Sequence, residues 1–150
     1  MKRPTHSIAS NRQSGLSLIE VLIAVLILGV GLLGIAAMQA VTLRNSQSAF
    51  DRTQATVLSY AMLDAMRANA TAARANSYNL GMTCDIPGAG TTLVEQDRSI
   101  WISSIKETMG DTACGSIACA ASICTITIRW NDTRASGGDA NETLTTTSRI

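Results

Sequence analysis

The chain has 150 residues, 46% of them apolar, and a formal net charge of +1 at pH 7. That length allows one small domain beside an anchor, and a near-neutral chain with only 3% aromatic residues offers neither a basic patch nor a stacking platform for nucleic acid. The single histidine is His6, and neither a Gly-x-Ser-x-Gly elbow nor a phosphate-cradling loop occurs, so the sequence reads as a non-enzyme with no metal and no cofactor.

The first residues are basic, with Lys2, Arg3 and Arg12 ahead of Gly15. The run Gly15-Leu16-Ser17-Leu18-Ile19-Glu20-Val21-Leu22 then begins an apolar segment. Residues 21–38 carry no charge, and the next charged side chain is Arg44. As a helix, that stretch spans about 27 Å, close to the hydrocarbon thickness of a bilayer. The basic residues ahead of it place the N-terminus in the cytoplasm and the remainder outside, as a single-pass inner-membrane protein. Glu20 is the anomaly, because a carboxylate in a membrane helix costs roughly 2.5–3.5 kcal/mol. Three readings compete. A secretory signal peptide has a shorter apolar region and a small-residue cleavage site after it, for which Gly34-Ile35-Ala36 is a weak match. A plain anchor leaves Glu20 unexplained. In the third, the chain is cut ahead of the apolar run and the helix stays with the product.

The junction Gly15-Leu16-Ser17-Leu18-Ile19-Glu20 resembles the class III leader of type IV prepilins. The resemblance implies a leader of residues 1–15, cleavage by prepilin peptidase between Gly15 and Leu16, and N-methylation of Leu16, where the family usually has Phe. Glu20 is then the family's signature acid at the fifth position after the cut. An apolar bundle penalises an unpaired carboxylate. In a stack of staggered helices, Glu20 would meet the free amine of Leu16 on the next subunit; the alternative is that it snorkels to the membrane surface. Loss of the leader leaves nine basic against eleven acidic residues, a net charge of −2.

Beyond the junction, nothing forbids helix from 16 to about 76: the stretch has no proline, and its glycines are Gly29, Gly31 and Gly34. Those glycines suit close helix packing, or, by the resemblance, a stretch that loses helicity in a filament. The second half reads as amphipathic, with Phe50, Val57, Ala61, Ala65 and Ala68 as the stripe and Leu58 and Met62 beside it. Residues 76–92 read as a loop, broken by Gly81, Pro87, Gly88 and Gly90. A short helix follows over 97–105, with Trp101, Ile105 and Met109 on one face and Gly110 at its end; Trp101 reads as a core plug. The segment Cys124-Thr125-Ile126-Thr127-Ile128-Arg129-Trp130 alternates cleanly and is the best strand, facing Cys124, Ile126, Ile128 and Trp130 inward. A turn-rich stretch leads to a Thr-rich partner strand over 142–150, and a third strand is placed near Ile117. Four cysteines, Cys84, Cys114, Cys119 and Cys124, all follow the apolar segment. Their number suits two disulfides in an oxidising compartment, with three possible connectivities, and their spacing suits zinc poorly. No internal repeat is visible, and the three Asn-x-Thr sequons at Asn69, Asn131 and Asn141 read as chance.

The expected fold is therefore α+β: a pilin-like lollipop with a long N-terminal helix on a small antiparallel sheet, divided into leader 1–15, transmembrane and filament-core helix 16–41, and periplasmic or extracellular domain 42–150. Residues 23–39, with Gly31-Leu32-Leu33-Gly34 and Ala36-Ala37-Met38-Gln39, and the pairing of Asp97 and Trp101 with the later strand are similar to PilV-type minor pilins. That likeness implies a non-catalytic subunit that primes type IV pilus assembly and so supports adhesion and twitching motility. Its partners would be prepilin peptidase, other minor and major pilins and the inner-membrane assembly platform, with the pilus at the cell surface as destination. The alternatives are a minor pseudopilin of a type II secretion system and a binding module displayed at a filament tip. Replacing Gly15 with Leu is expected to block processing, leaving the larger precursor on a gel; a product of normal size would overturn the leader assignment.

Overall fold

The computed structural model describes Gly15 and residues 17–150. Helix α1 (Leu18–Ala68) is followed by a single turn, α2 (Ala70–Arg74), strand β1 (Leu80–Thr83), helix α3 (Leu93–Met109) and strands β2 (Cys114–Ala120), β3 (Ile123–Trp130) and β4 (Glu142–Arg149). The four strands form one antiparallel sheet in chain order. The fold class is α+β, as the sequence indicates. Residue contacts divide the chain into two compact units, one ending at Gln39 and the other Ala40–Ile150.

In the first unit α1 is helical throughout, including Gly29, Gly31 and Gly34. Its large apolar side chains, from Leu18 to Met38, are all exposed.

The second unit holds the core. Here α1 buries Ala55, Ser59, Met62, Leu63 and Met66. Spacings of three and four residues put these on one face. The anticipated stripe is corrected: Phe50 and Val57 are more than half exposed, Ala61 and Ala68 are exposed as well, and at 100° per residue they lie nearly opposite the buried face. The sequence misleads because a serine sits at the centre of the true stripe. Ser59 donates its hydroxyl to the Ala55 carbonyl at 2.8 Å and so enters the core satisfied.

Helix α3 begins four residues before Asp97, where the sequence reading starts it. Thr92 is the reason. Its hydroxyl accepts from the Glu95 backbone N–H, and its own N–H donates to the Glu95 carboxylate at 3.0 Å, a reciprocal capping box. These bonds hold the Glu95 carboxyl below its ordinary pKa. The helix stops at Gly110, whose φ of 97° lies in the region open to glycine. Between these ends α3 buries Trp101, Ile102 and Ile105. The Trp101 indole N–H donates to the Leu58 carbonyl of α1 at 3.0 Å. On its other side the ring reaches Gly115 of β2, where a Cβ would stand 2.7 Å from the indole edge.

The expected loop over 76–92 is also corrected, since β1 lies inside it. Leu80 pairs with Ile117 and Thr83 with Gly115. Just ahead, the Asn79 side chain continues the ladder: its amide donates to the Cys119 carbonyl at 3.3 Å and its oxygen accepts from the Cys119 N–H at 2.7 Å. Tyr78 is fully buried, donates to Asp97 at 2.6 Å and accepts from Asn69 at 3.3 Å.

Strand β3 is central, and Cys124, Ile126, Ile128 and Trp130 are its buried face. It pairs with β2 from Ile123 to Arg129 and with β4 along its whole length. On the other face, Thr125 meets Thr147 at 3.1 Å and Thr127 meets Thr145 at 3.2 Å. These threonine pairs fasten a terminal strand that contributes little to the core. Three polar ties also join its end of the sheet to α1: Ser48 to Asp132 at 2.5 Å, Arg52 to Glu142 at 2.5 Å and Arg67 to Ser148 at 2.8 Å.

Two stability measurements test this packing. Gly115→Ala drives a methyl into Trp101 and is expected to lower the stability of residues 40–150 by about 1–3 kcal/mol in urea titration. Burial, with Asp97 beside it, pushes the Tyr78 phenol up to about 12 from 10.0. Its contribution is then complete below pH 10 and lost as pH rises towards 12. Across that window the urea midpoint of the wild type is expected to fall more steeply than that of Tyr78→Phe; parallel curves would contradict the assignment.

Candidate functional site

The first turn of α1 holds the residues singled out by their chemistry. The backbone of Ser17 starts the helix, its carbonyl accepting from Glu20 N–H at 3.0 Å and Val21 N–H at 3.3 Å. Glu20 is exposed in that turn. An acid there faces the unpaired N–H groups and the positive end of the helix dipole, worth roughly 0.3–1 kcal/mol. The ion pairs found among the described residues are Arg52–Glu142 and Arg67–Asp64, so Glu20 has no cation beside it there. Leu16, expected to be N-methylated, lies outside the described residues, as do Lys2, Arg3, His6 and Arg12.

Gly15 is exposed, and a Cβ built on it meets nothing within 4 Å. Nothing in the described fold demands a glycine there. The same holds at Gly29, Gly31 and Gly34. Nothing among the described residues accounts for glycine at these positions.

Length and composition make α1 the one helix among the described residues able to cross a membrane. Its apolar window has a mean hydropathy of 2.8 and is unburied. Covering such a surface requires lipid or other helices.

The four cysteines all lie in the second unit. They are joined as Cys84–Cys114 and Cys119–Cys124, which selects one of the three connectivities. Cys119 and Cys124 are directly opposite across the β2–β3 hairpin. The other bridge ties the chain after β1 to the start of β2. Two cations surround it that sequence reasoning did not connect with it. Arg129, opposite Cys114 in the β2–β3 register, points its guanidinium at Cys114 Sγ (3.2 Å) and Cys84 Sγ (3.5 Å). Lys106 donates to the Cys84 carbonyl at 2.7 Å and to the Asp111 carbonyl. The register alone brings Arg129 to the bridge, so it becomes visible only once the strands are paired. Among the described residues no group of three or more His, Cys, Asp or Glu is arranged to hold a metal.

Residues 10–36 match the family described as the prokaryotic N-terminal methylation motif. No curated protein matches the chain, and no solved structure matches it. The motif supports a type IV prepilin-like protein, pilin or pseudopilin. It implies processing by a prepilin peptidase and assembly with other pilins, and together with the apolar helix it is compatible with single-pass anchoring in the inner membrane.

Proposed function

We propose that this prepilin-like chain is a minor pilin: a non-catalytic subunit that helps prime type IV pilus assembly and so supports adhesion and twitching motility. The observation that carries the reading is the methylation motif at the head of an uncovered apolar helix bearing one carboxylate, Glu20. Prepilin peptidase cuts between Gly15 and Leu16, and Leu16 is then methylated. The basic residues of the leader hold the N-terminus in the cytoplasm. Residues 16–41 serve first as membrane anchor and then as filament core, with 42–150 outside. The inner-membrane assembly platform extracts the subunit and stacks it beside other minor and major pilins.

Glu20 supplies the driving logic. A carboxylate moved into a helical bundle is stabilised by a cation at hydrogen-bonding distance. The free amine of Leu16 on a neighbouring subunit is such a cation, so the charge is compensated only in the assembled state. The four cysteines and the Thr-rich terminal hairpin favour a pilus over a secretion pseudopilin.

Glu20→Ala is expected to leave processing intact and to reduce the subunit in sheared pilus fractions by about tenfold or more, the loss of one compensated charge pair. Incorporation at wild-type level would refute the amine pairing. A strain lacking the gene is expected to lose surface pili and twitching; intact pili with failed protein secretion would assign the chain to the secretion machinery instead.

A further inference from the structure

The two disulfides differ in what surrounds them. Cys119 and Cys124 lie 7% and 0% exposed inside the β2–β3 hairpin. An external thiol has no approach to either sulfur without opening the sheet. The Cys84–Cys114 bridge is asymmetric: Cys114 is 1% exposed, whereas Cys84 is only half-buried and sits beyond the end of β1. The Arg129 guanidinium lies against both of its sulfurs, closer to that of Cys114.

Thiol–disulfide exchange needs two things here: a reachable sulfur for the incoming thiolate and a good leaving thiolate on the other side. A cation beside a sulfur favours its thiolate form and makes it a better leaving group. Cys84 supplies the first requirement, and Arg129 the second at Cys114. The carboxylates nearest in sequence make no contact with this charge: Asp85 bonds Thr83 through its backbone, Asp111 engages Lys106 through its carbonyl, and the buried Asp132 accepts from the Ser48 hydroxyl.

We propose that Cys84–Cys114 is a thiol-exchange site, attacked at Cys84 Sγ by a low-molecular-weight thiol, with Arg129 holding the departing Cys114 thiolate. In the first step the thiolate bonds to Cys84 Sγ, the Cys84–Cys114 bond breaks, and its electron pair leaves on Cys114 Sγ. In the second step another thiolate attacks the sulfur of the bound thiol, releasing the Cys84 thiolate. Two equivalents of thiol are oxidised to their disulfide, and the bridge is reduced by two electrons. β1 stays paired with β2 through Leu80 and Thr83, so the sheet survives the exchange. What is released is the covalent closure of the segment carrying α3. The hairpin bridge keeps its bond throughout. Arg129 acts through the sulfur it touches and is a positioning residue.

The test uses the full chain in detergent micelles, without denaturant, exposed to reduced glutathione. Free thiols are trapped by alkylation at timed intervals and mapped by mass spectrometry. In the wild type, Cys84 and Cys114 are expected to be alkylated at least about tenfold faster than Cys119 and Cys124, with a glutathione adduct on Cys84 at early times. Arg129→Met is expected to slow opening of Cys84–Cys114 by roughly three- to tenfold and to leave the hairpin bridge unchanged, while Arg129→Lys restores most of the rate. Equal rates at the two bridges, or an adduct on Cys114 instead of Cys84, would overturn the proposal. So would an Arg129→Met chain with unchanged opening. If Arg129→Met also speeds exchange at Cys119–Cys124, the fold has loosened; the wild-type rate ratio and the Arg129→Lys chain then decide.

Discussion

The seating of Trp101 between α1 and the sheet is the contact on which the domain from Ala40 onward depends. Its ring lies over Gly115, at a place where even a methyl group would collide with it. Its N–H reaches back to a carbonyl of α1. One side chain thus sets how closely α3 approaches β2 and fixes α3 against the long helix. The remaining core follows from that spacing. Ile102 and Ile105 fill the same layer as Met62, Leu63 and Met66, and Ile126, Ile128 and Trp130 close it from the sheet. A glycine on one element and the largest side chain on another are a complementary pair. Either alone would leave a void or a collision, and interiors tolerate neither well.

Much of this architecture was readable in the residues. The strict alternation from Cys124 to Trp130 fixes which face of β3 is buried, because a period of two admits only two choices and the isoleucines select one. The unbroken start of α1 follows from an absence of proline and a surplus of apolar residues. Other features resist for physical reasons. The buried face of α1 mixes alanine, serine, methionine and leucine, and the opposite face is rich in alanine as well. Apolar content alone cannot distinguish two such faces; the partner decides. Strand β1 is four residues long and carries a glycine, so no pattern announces it, and Asn79 extends its pairing as a side-chain continuation of the ladder. The start of α3 was legible, however: Thr92-Leu93-Val94-Glu95 has the spacing of a capping box. At the N-terminal site, Gly15 and Glu20 stand out by type and spacing. Arg129 does not, because its neighbour Cys114 is chosen by strand register.

The first unit poses the reverse problem. There the sequence is plain and the described residues provide no answer to it. Side chains from Leu18 to Met38 are apolar and uncovered, three glycines have open space where a Cβ would be, and Glu20 has no cation among the described residues. These are not defects of folding. Each is a surface without a complement among the described residues, and a membrane can supply only part of that complement. Lipid covers the apolar side chains but gives glycine no specific advantage and leaves a carboxylate uncompensated. Neighbouring helices would resolve all three together, which is what the proposed reading of the chain as a filament subunit requires.

The polar ties between α1 and the sheet have a consequence for how the domain is made. Ser48, Arg52 and Arg67 wait for Asp132, Glu142 and Ser148, which follow them by 84, 90 and 81 residues. The core face of α1 is complete at Met66, yet Ile126, Ile128 and Trp130 must still be added before it is closed. A chain emerging from its N-terminus therefore presents this helix face first, gains partial cover when Trp101, Ile102 and Ile105 of α3 follow, and closes it only with β3. A chain stopped anywhere before β3 leaves that face open on the sheet side, whether or not α3 has been made. The order of synthesis makes β3 the element that closes the domain over the core face of α1.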